Sequence, residues 1–124
     1  MKRTLMFFLV SAVLLTACSE SKLINFVGKS ENWQVKYSVT VFDEKSESSK
    51  VTIRYIGEKP VPKKIKYTVE TATGKTEGET PIENGVLATG EDSCSGCSVT
   101  QPNEKITATI TWNHKSESFI LENQ

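Results

Sequence analysis

Trp33-Gln34-Val35-Lys36-Tyr37-Ser38-Val39-Thr40-Val41 is the stretch that decides the fold. Its large apolar residues recur at every second position, with polar residues between them. Successive side chains of an extended strand point to opposite faces. A period of two therefore puts Trp33, Val35, Tyr37, Val39 and Val41 on one face and Gln34, Lys36, Ser38 and Thr40 on the other. A helix would need recurrence at three and four, and no stretch after residue 22 keeps that spacing over ten residues.

The same alternation returns on either side. Leu23 to Gly28 reads as a short first strand or an irregular covering segment. Glu44 to Lys50 is polar and Ser-rich and reads as a connecting loop. Val51, Ile53 and Tyr55 alternate with Thr52 and Arg54, until Gly57 to Pro62 interrupts with prolines that cannot donate to a ladder. Ile65, Tyr67 and Val69 alternate next, Thr73-Gly74-Lys75 is a turn, and Lys75 to Thr80 is a candidate edge strand. Asn84-Gly85 signals a tight turn before Val86-Leu87-Ala88. Ile106, Ala108, Ile110 and Trp112 form the last strong period, followed by a turn at Asn113-His114 and a return through Phe119 and Leu121. About seven short strands with turn signals between them predict an all-β domain, an immunoglobulin-like two-sheet sandwich, with a small barrel as the alternative. Trp33 and Trp112 share their faces with aliphatic residues and are expected in the core.

Composition bounds the function. The 124 residues carry 15 Lys+Arg and 15 Asp+Glu, with 37% hydrophobic and 24% charged residues. That length excludes a large multi-domain enzyme, and that composition excludes a multi-span membrane protein. A formal charge of zero argues against nucleic acid, whose phosphates need a basic face.

The N-terminus reads as an export signal. Lys2 and Arg3 precede the apolar run Leu5 to Leu15, which is far short of the roughly 20 residues needed to span a bilayer. Small Ala17 then precedes Cys18. Leu15-Thr16-Ala17-Cys18 resembles the bacterial lipobox, complete at each of its positions. The resemblance implies diacylglycerol transfer to the Cys18 sulfur and cleavage before Cys18, and two acyl chains give stable anchoring where one does not. The layout as a whole resembles the small surface lipoproteins of Bacillus-like Gram-positive bacteria: signal, Cys18, short tether, a Glu31-Asn32-Trp33 segment, an all-β domain and a late cysteine pair. The expected organisation is a lipoprotein signal peptide over residues 1–17, a lipidated cysteine and polar tether over 18–22, and a single β-sandwich domain over 23–124. The implied location is the extracytoplasmic face of the cell membrane.

With Cys18 lipidated, Cys94 and Cys97 remain as an even pair outside the cytoplasm, where a disulfide is the default. A Cys-x-x-Cys also admits thiol–disulfide redox chemistry or metal ligation. Redox chemistry needs a depressed thiolate pKa, from a helix N-terminus or a nearby cation. Here Glu91 and Asp92 precede the pair and Ser98 to Pro102 follows it as a poor helix start. A zinc site needs further ligands, and His114 is the chain's one histidine. It follows Asn113 in a turn, with no Gly-x-Ser-x-Gly elbow to pair with. Ser19-Glu20-Ser21-Lys22 matches a Ser-x-x-Lys spacing, but a tether offers no buried lysine.

No catalytic residue, metal ligand or cofactor is therefore expected. The expectation is a non-enzymatic binding module, anchored to the membrane by its N-terminal lipid. It would take a protein, peptide or envelope component, by strand addition at an exposed sheet edge. The alternatives are a redox protein using Cys94 and Cys97, or an accessory subunit of a membrane complex.

Overall fold

The computed structural model describes residues 20–124. The signal segment and Cys18 lie outside the described residues. Within them the all-β expectation holds, and no helix forms. Nine strands follow in order: β1 (Lys22–Lys29), β2 (Trp33–Asp43), β3 (Ser46–Tyr55), β4 (Lys64–Glu70), β5 (Lys75–Pro81), β6 (Val86–Ala88), β7 (Asp92–Ser95), β8 (Ile106–Trp112) and β9 (Lys115–Asn123). β1 already takes in Lys22, which the sequence assigns to the tether.

Every pairing is antiparallel, and the strands form one sheet in the order β5-β4-β8-β9-β1-β2-β3-β6, with β7 also on β3. The sheet curls on itself. β1, β2 and β3 make one half, and β4, β5, β8 and most of β9 make the other. The joint between them is narrow. β1 and β9 pair only at Phe26–Asn123 and Val27–Glu122, extended by the Gln124 N–H donating to the Asn25 carbonyl at 2.9 Å. Gly28 permits this approach, because a Cβ there would meet the Ile120 carbonyl and the Leu121 side chain.

The inward faces of both halves share one core, which contains Phe26, Trp33, Val35, Val39, Val51 and Ile53 from one side and Ile65, Val69, Ile106, Ile110, Trp112 and Leu121 from the other. Trp33 and Trp112 are both buried, as expected. Their rings meet edge to face at 5.4 Å, and Trp33 also meets Tyr55 at 5.0 Å. Edge-to-face pairs of this kind add about 1 kcal/mol each beyond their buried area.

Two stretches exceed the sequence expectation, the first half of β3 and all of β7. Ser46 to Lys50, expected in a loop, is the first half of β3, because β2 and β7 flank it and pair its polar backbone. β7 is four residues long, too short to display a period, whereas β6 stands at Val86–Ala88 where the sequence placed it. The Asn84-Gly85 and Asn113-His114 turns form as expected, all four residues having positive φ, which suits the twist of tight hairpins.

Register defines two ends. At the first, Lys22 faces Val41 and β2 turns into β3 at Asp43–Ser46. The β4–β5 turn lies at this end too, since Thr73 and Lys75 share a cleft with Glu47 and Cys94, and so does the start of β8, since Glu70 faces both Lys75 and Thr107. At the other end stand the Ser30–Asn32 turn, the Tyr55 end of β3 and the β8–β9 turn after Trp112. The chain enters from residue 20 at the first, here the tether end, and the second is the far end.

Candidate functional site

The far end carries a groove of about 840 Å³ between the Tyr55–Pro62 loop and the β8–β9 turn. Its walls are mostly polar, and the residues lining it include Glu31, Glu58, Lys59, Asn113, Lys115 and Glu117, together with Tyr55 and Trp112. The Tyr55 hydroxyl donates to the Glu58 carbonyl at 2.5 Å and so braces the loop. Pro60 and Pro62 leave that loop without two backbone donors, which keeps it out of the sheet.

Glu117 is the polar centre of this end. Its Oε1 accepts from the Ser30 hydroxyl at 2.5 Å and from the Asn32 N–H at 3.0 Å, and its Oε2 accepts from Asn32 Nδ2 at 2.6 Å. Burial disfavours its charge, but the bonds from Ser30 and Asn32, with the Lys115 ammonium, outweigh that and hold the carboxyl below its usual range. Asn32 in turn accepts the Ile56 N–H on its carbonyl at 2.8 Å. The start of β2, the end of β3 and the start of β9 are thus tied at one residue. Gly57 is required beside it, since a Cβ would strike Asn32 Oδ1 and the Tyr55 ring.

The tether end holds the cysteines. Cys94 lies in β7 and Cys97 just beyond it, and their sulfur atoms stand within disulfide-bonding distance, with Cα atoms 6.1 Å apart. The Cys97 N–H donates to the Lys45 carbonyl at 2.9 Å, and Glu47 accepts from both the N–H and hydroxyl of buried Thr100, at 2.6 and 3.0 Å. These hydrogen bonds hold the segment from Cys97 to Thr100 against the β2–β3 turn. A cleft of about 490 Å³ runs beside it, lined by Tyr37, Glu47, Asp92 and Thr73 among others. Burial pushes the Tyr37 hydroxyl up; a bond with Ser49 works against this, and Glu47, Glu104 and Asp92 reinforce it.

The two free sheet edges differ. β5 exposes Lys75, Glu77, Glu79 and, at its end, Pro81, the charges and proline that discourage strand pairing. Its ion pairs, Lys64–Glu79 at 3.6 Å and Lys75–Glu77 at 3.9 Å, are exposed and contribute little. The opposite edge is broken between β6 and β7 around Gly90.

Of the residues singled out in sequence, Cys94 and Cys97 come together, Cys18 lies outside the described residues, and His114 takes its place in the β8–β9 turn with φ of 64°. Among the described residues no group of three or more His, Cys, Asp or Glu side chains is gathered to hold a metal. The Glu117–Asn32–Ser30 cluster had no sequence signal, because it joins residues 85 and 87 apart along the chain. No protein-family model, no curated protein and no solved structure matches this chain.

Proposed function

We propose that this chain is a lipoprotein of the bacterial cell envelope, held at the extracytoplasmic face of the membrane by a lipid on Cys18, whose β domain is a non-enzymatic binding module. The observation that carries this reading is polarity along the fold. The described chain enters at one end, at residue 20, and a large polar groove opens at the other. An anchor at the first end would leave the groove facing away from the bilayer, toward a protein, peptide or wall component. The far-end groove is preferred over strand addition because β5 carries Lys75 and Pro81 and the other edge is interrupted.

We infer the finer architecture to be an immunoglobulin-like two-layer sandwich. Its support is the face-to-face packing of the two halves, centred on Trp33 against Trp112. The continuous bonding through β9 is what a small curled barrel would share.

The redox alternative rests on Cys94 and Cys97 lining a cleft. It has no helix N-terminus to activate a thiol: the pair stands on a strand and turn, and in the cleft two carboxylates, Glu47 and Asp92, stand against the one cation, Lys75.

The test of anchoring is fractionation of the full chain with labelled fatty acid. Label and protein together in the membrane fraction support it, and a soluble, unlabelled chain sinks it. The test of the groove is titration of isotope-labelled protein with soluble wall fragments. Amide shifts clustered at Asn32, Lys59 and Lys115 support it, and shifts confined to the β5 edge move the binding face there.

A further inference from the structure

The described residues expose four large apolar side chains, and two of them stand together at the tether end. Leu23 is 63% exposed and Phe42 is 47% exposed. Leu23 faces Thr40 across the β1–β2 ladder, two residues before Phe42. Phe42 is the extra residue of a bulge: pairing with β3 passes from Val41–Glu47 to Asp43–Ser46. Bulges re-aim side chains, and this one leaves an aromatic ring half exposed near a still more open leucine. A mainly apolar hollow of about 290 Å³ lies at the same end on the opposite face of these strands, where Ile24, Val41, Val99 and Pro102 line it together with Lys22, Asp43 and Glu44.

The chain itself says what lies nearby. Lys22 is four residues after Cys18. At roughly 3.5 Å per extended residue the connection reaches at most about 14 Å. The headgroup layer is itself roughly 5–8 Å thick on each side of the hydrocarbon. A lipid on the Cys18 sulfur therefore holds the start of β1 at the bilayer surface.

We propose that Leu23 and Phe42 form a membrane-contact face that seats in the headgroup layer and fixes how the domain stands on the bilayer. This rests on the lipid-anchor reading above. Both side chains leave water on contact, a gain added to that of the acyl chains. The charges around them are mixed: Glu20, Asp43, Glu44 and Glu91 against Lys22, Lys36, Lys45 and Lys50. The contact is therefore apolar and shallow, and it does not select anionic lipid. Its consequence is orientation, with the far-end groove turned outward.

The test uses the full chain, made in a Gram-positive host, purified from membranes and reconstituted into phosphatidylcholine vesicles with or without phosphatidylglycerol. Three single substitutions place a reporter: Leu23→Trp and Phe42→Trp at the tether end, and Ile56→Trp, another exposed apolar position, at the far end. The buried Trp33 and Trp112 supply a constant background, subtracted with the unsubstituted protein. Intact mass first reads whether Cys18 carries diacylglycerol. With the lipid present, emission of Leu23→Trp and Phe42→Trp is expected to shift to the blue and be quenched by lipids brominated near the headgroup, equally in both vesicle types. Ile56→Trp stays unshifted and unquenched. Solvent-like emission from both tether-end reporters on lipidated protein overturns the membrane face alone. Quenching that requires phosphatidylglycerol overturns the apolar contact in favour of an electrostatic one. An unmodified Cys18 overturns the anchor reading, and this proposal with it.

Discussion

Glu117 holds Asn32 with both of its carboxylate oxygens, Oε1 on the backbone N–H and Oε2 on the side-chain amide, across 85 residues of chain. The two residues close the far end where the halves of the sheet meet. Glu117→Ala leaves the Ser30 hydroxyl and the Asn32 donors to water and is expected to cost about 1 kcal/mol, since the site is partly open. The sign with pH follows from the depressed carboxyl. The folded state holds Glu117 ionised below the usual glutamate range. Its contribution is fully present above the unfolded pKa and is lost as pH falls through the folded one. Thermal melts of wild type and Glu117→Ala should therefore differ at neutral pH and converge in acid. A gap that persists or widens in acid would count against the carboxylate as its source.

Gly28→Ala places a methyl group against the Ile120 carbonyl and Leu121. Because β1 and β9 pair at only two positions, the strands have little pairing to hold against it. A loss of about 2 kcal/mol is expected, the ordinary cost of overpacking a tight site. Denaturant titration reads it, and an unchanged midpoint would mean that β9 does not approach Gly28 as described.

Trp33→Ala removes a fully buried ring with aromatic neighbours on two sides, Tyr55 and Trp112. The cavity is expected to cost 3–5 kcal/mol, roughly what large aromatic truncations cost in a core. For a domain of this size that is a large share of its stability. Loss of the cooperative near-ultraviolet melt is the readout, and a near-native melt would place Trp33 outside the core.

Cys94→Ala with Cys97→Ala removes a bond that closes a very short loop, a gain of only about 2 kcal/mol in the chain-constraint model. The double variant should melt at a lower temperature yet remain folded, since the Cys97 N–H still donates to Lys45 and Thr100 still binds Glu47. An identical melting temperature under oxidising conditions would remove the structural role.

Cys18→Ala is expected to leave uncleaved precursor or released protein, in place of the anchored form. Immunoblots of membrane and soluble fractions decide this, and normal cleavage with full membrane retention would refute the lipid attachment.

The strands with strong alternation were legible in the sequence, because burying one face of a strand imposes a period of two. Trp33 to Val41, Ile65 to Val69 and Ile106 to Trp112 all became core strands with the expected residues inward. The first half of β3 was not legible. Its serines are admitted by backbone partners on both sides, and pairing partners leave no mark on the strand that receives them. The cysteine pair could be read because three residues of spacing bring it together locally. The Glu117 cluster and the Phe26–Asn123 joint are contacts between distant segments, and neither segment carries a local sign of the other.

The seam at β9 also sets an order of events in biogenesis. β1 can find β2 as soon as both have emerged, but its other neighbour is the last strand of the nine. Contacts of such sequence separation form slowly. A chain whose last strand is not yet available therefore has half a sheet with its apolar face uncovered, unable to clamp shut. The fold's own wiring therefore makes closure a late step: the domain locks only when residues 115–123 reach β1.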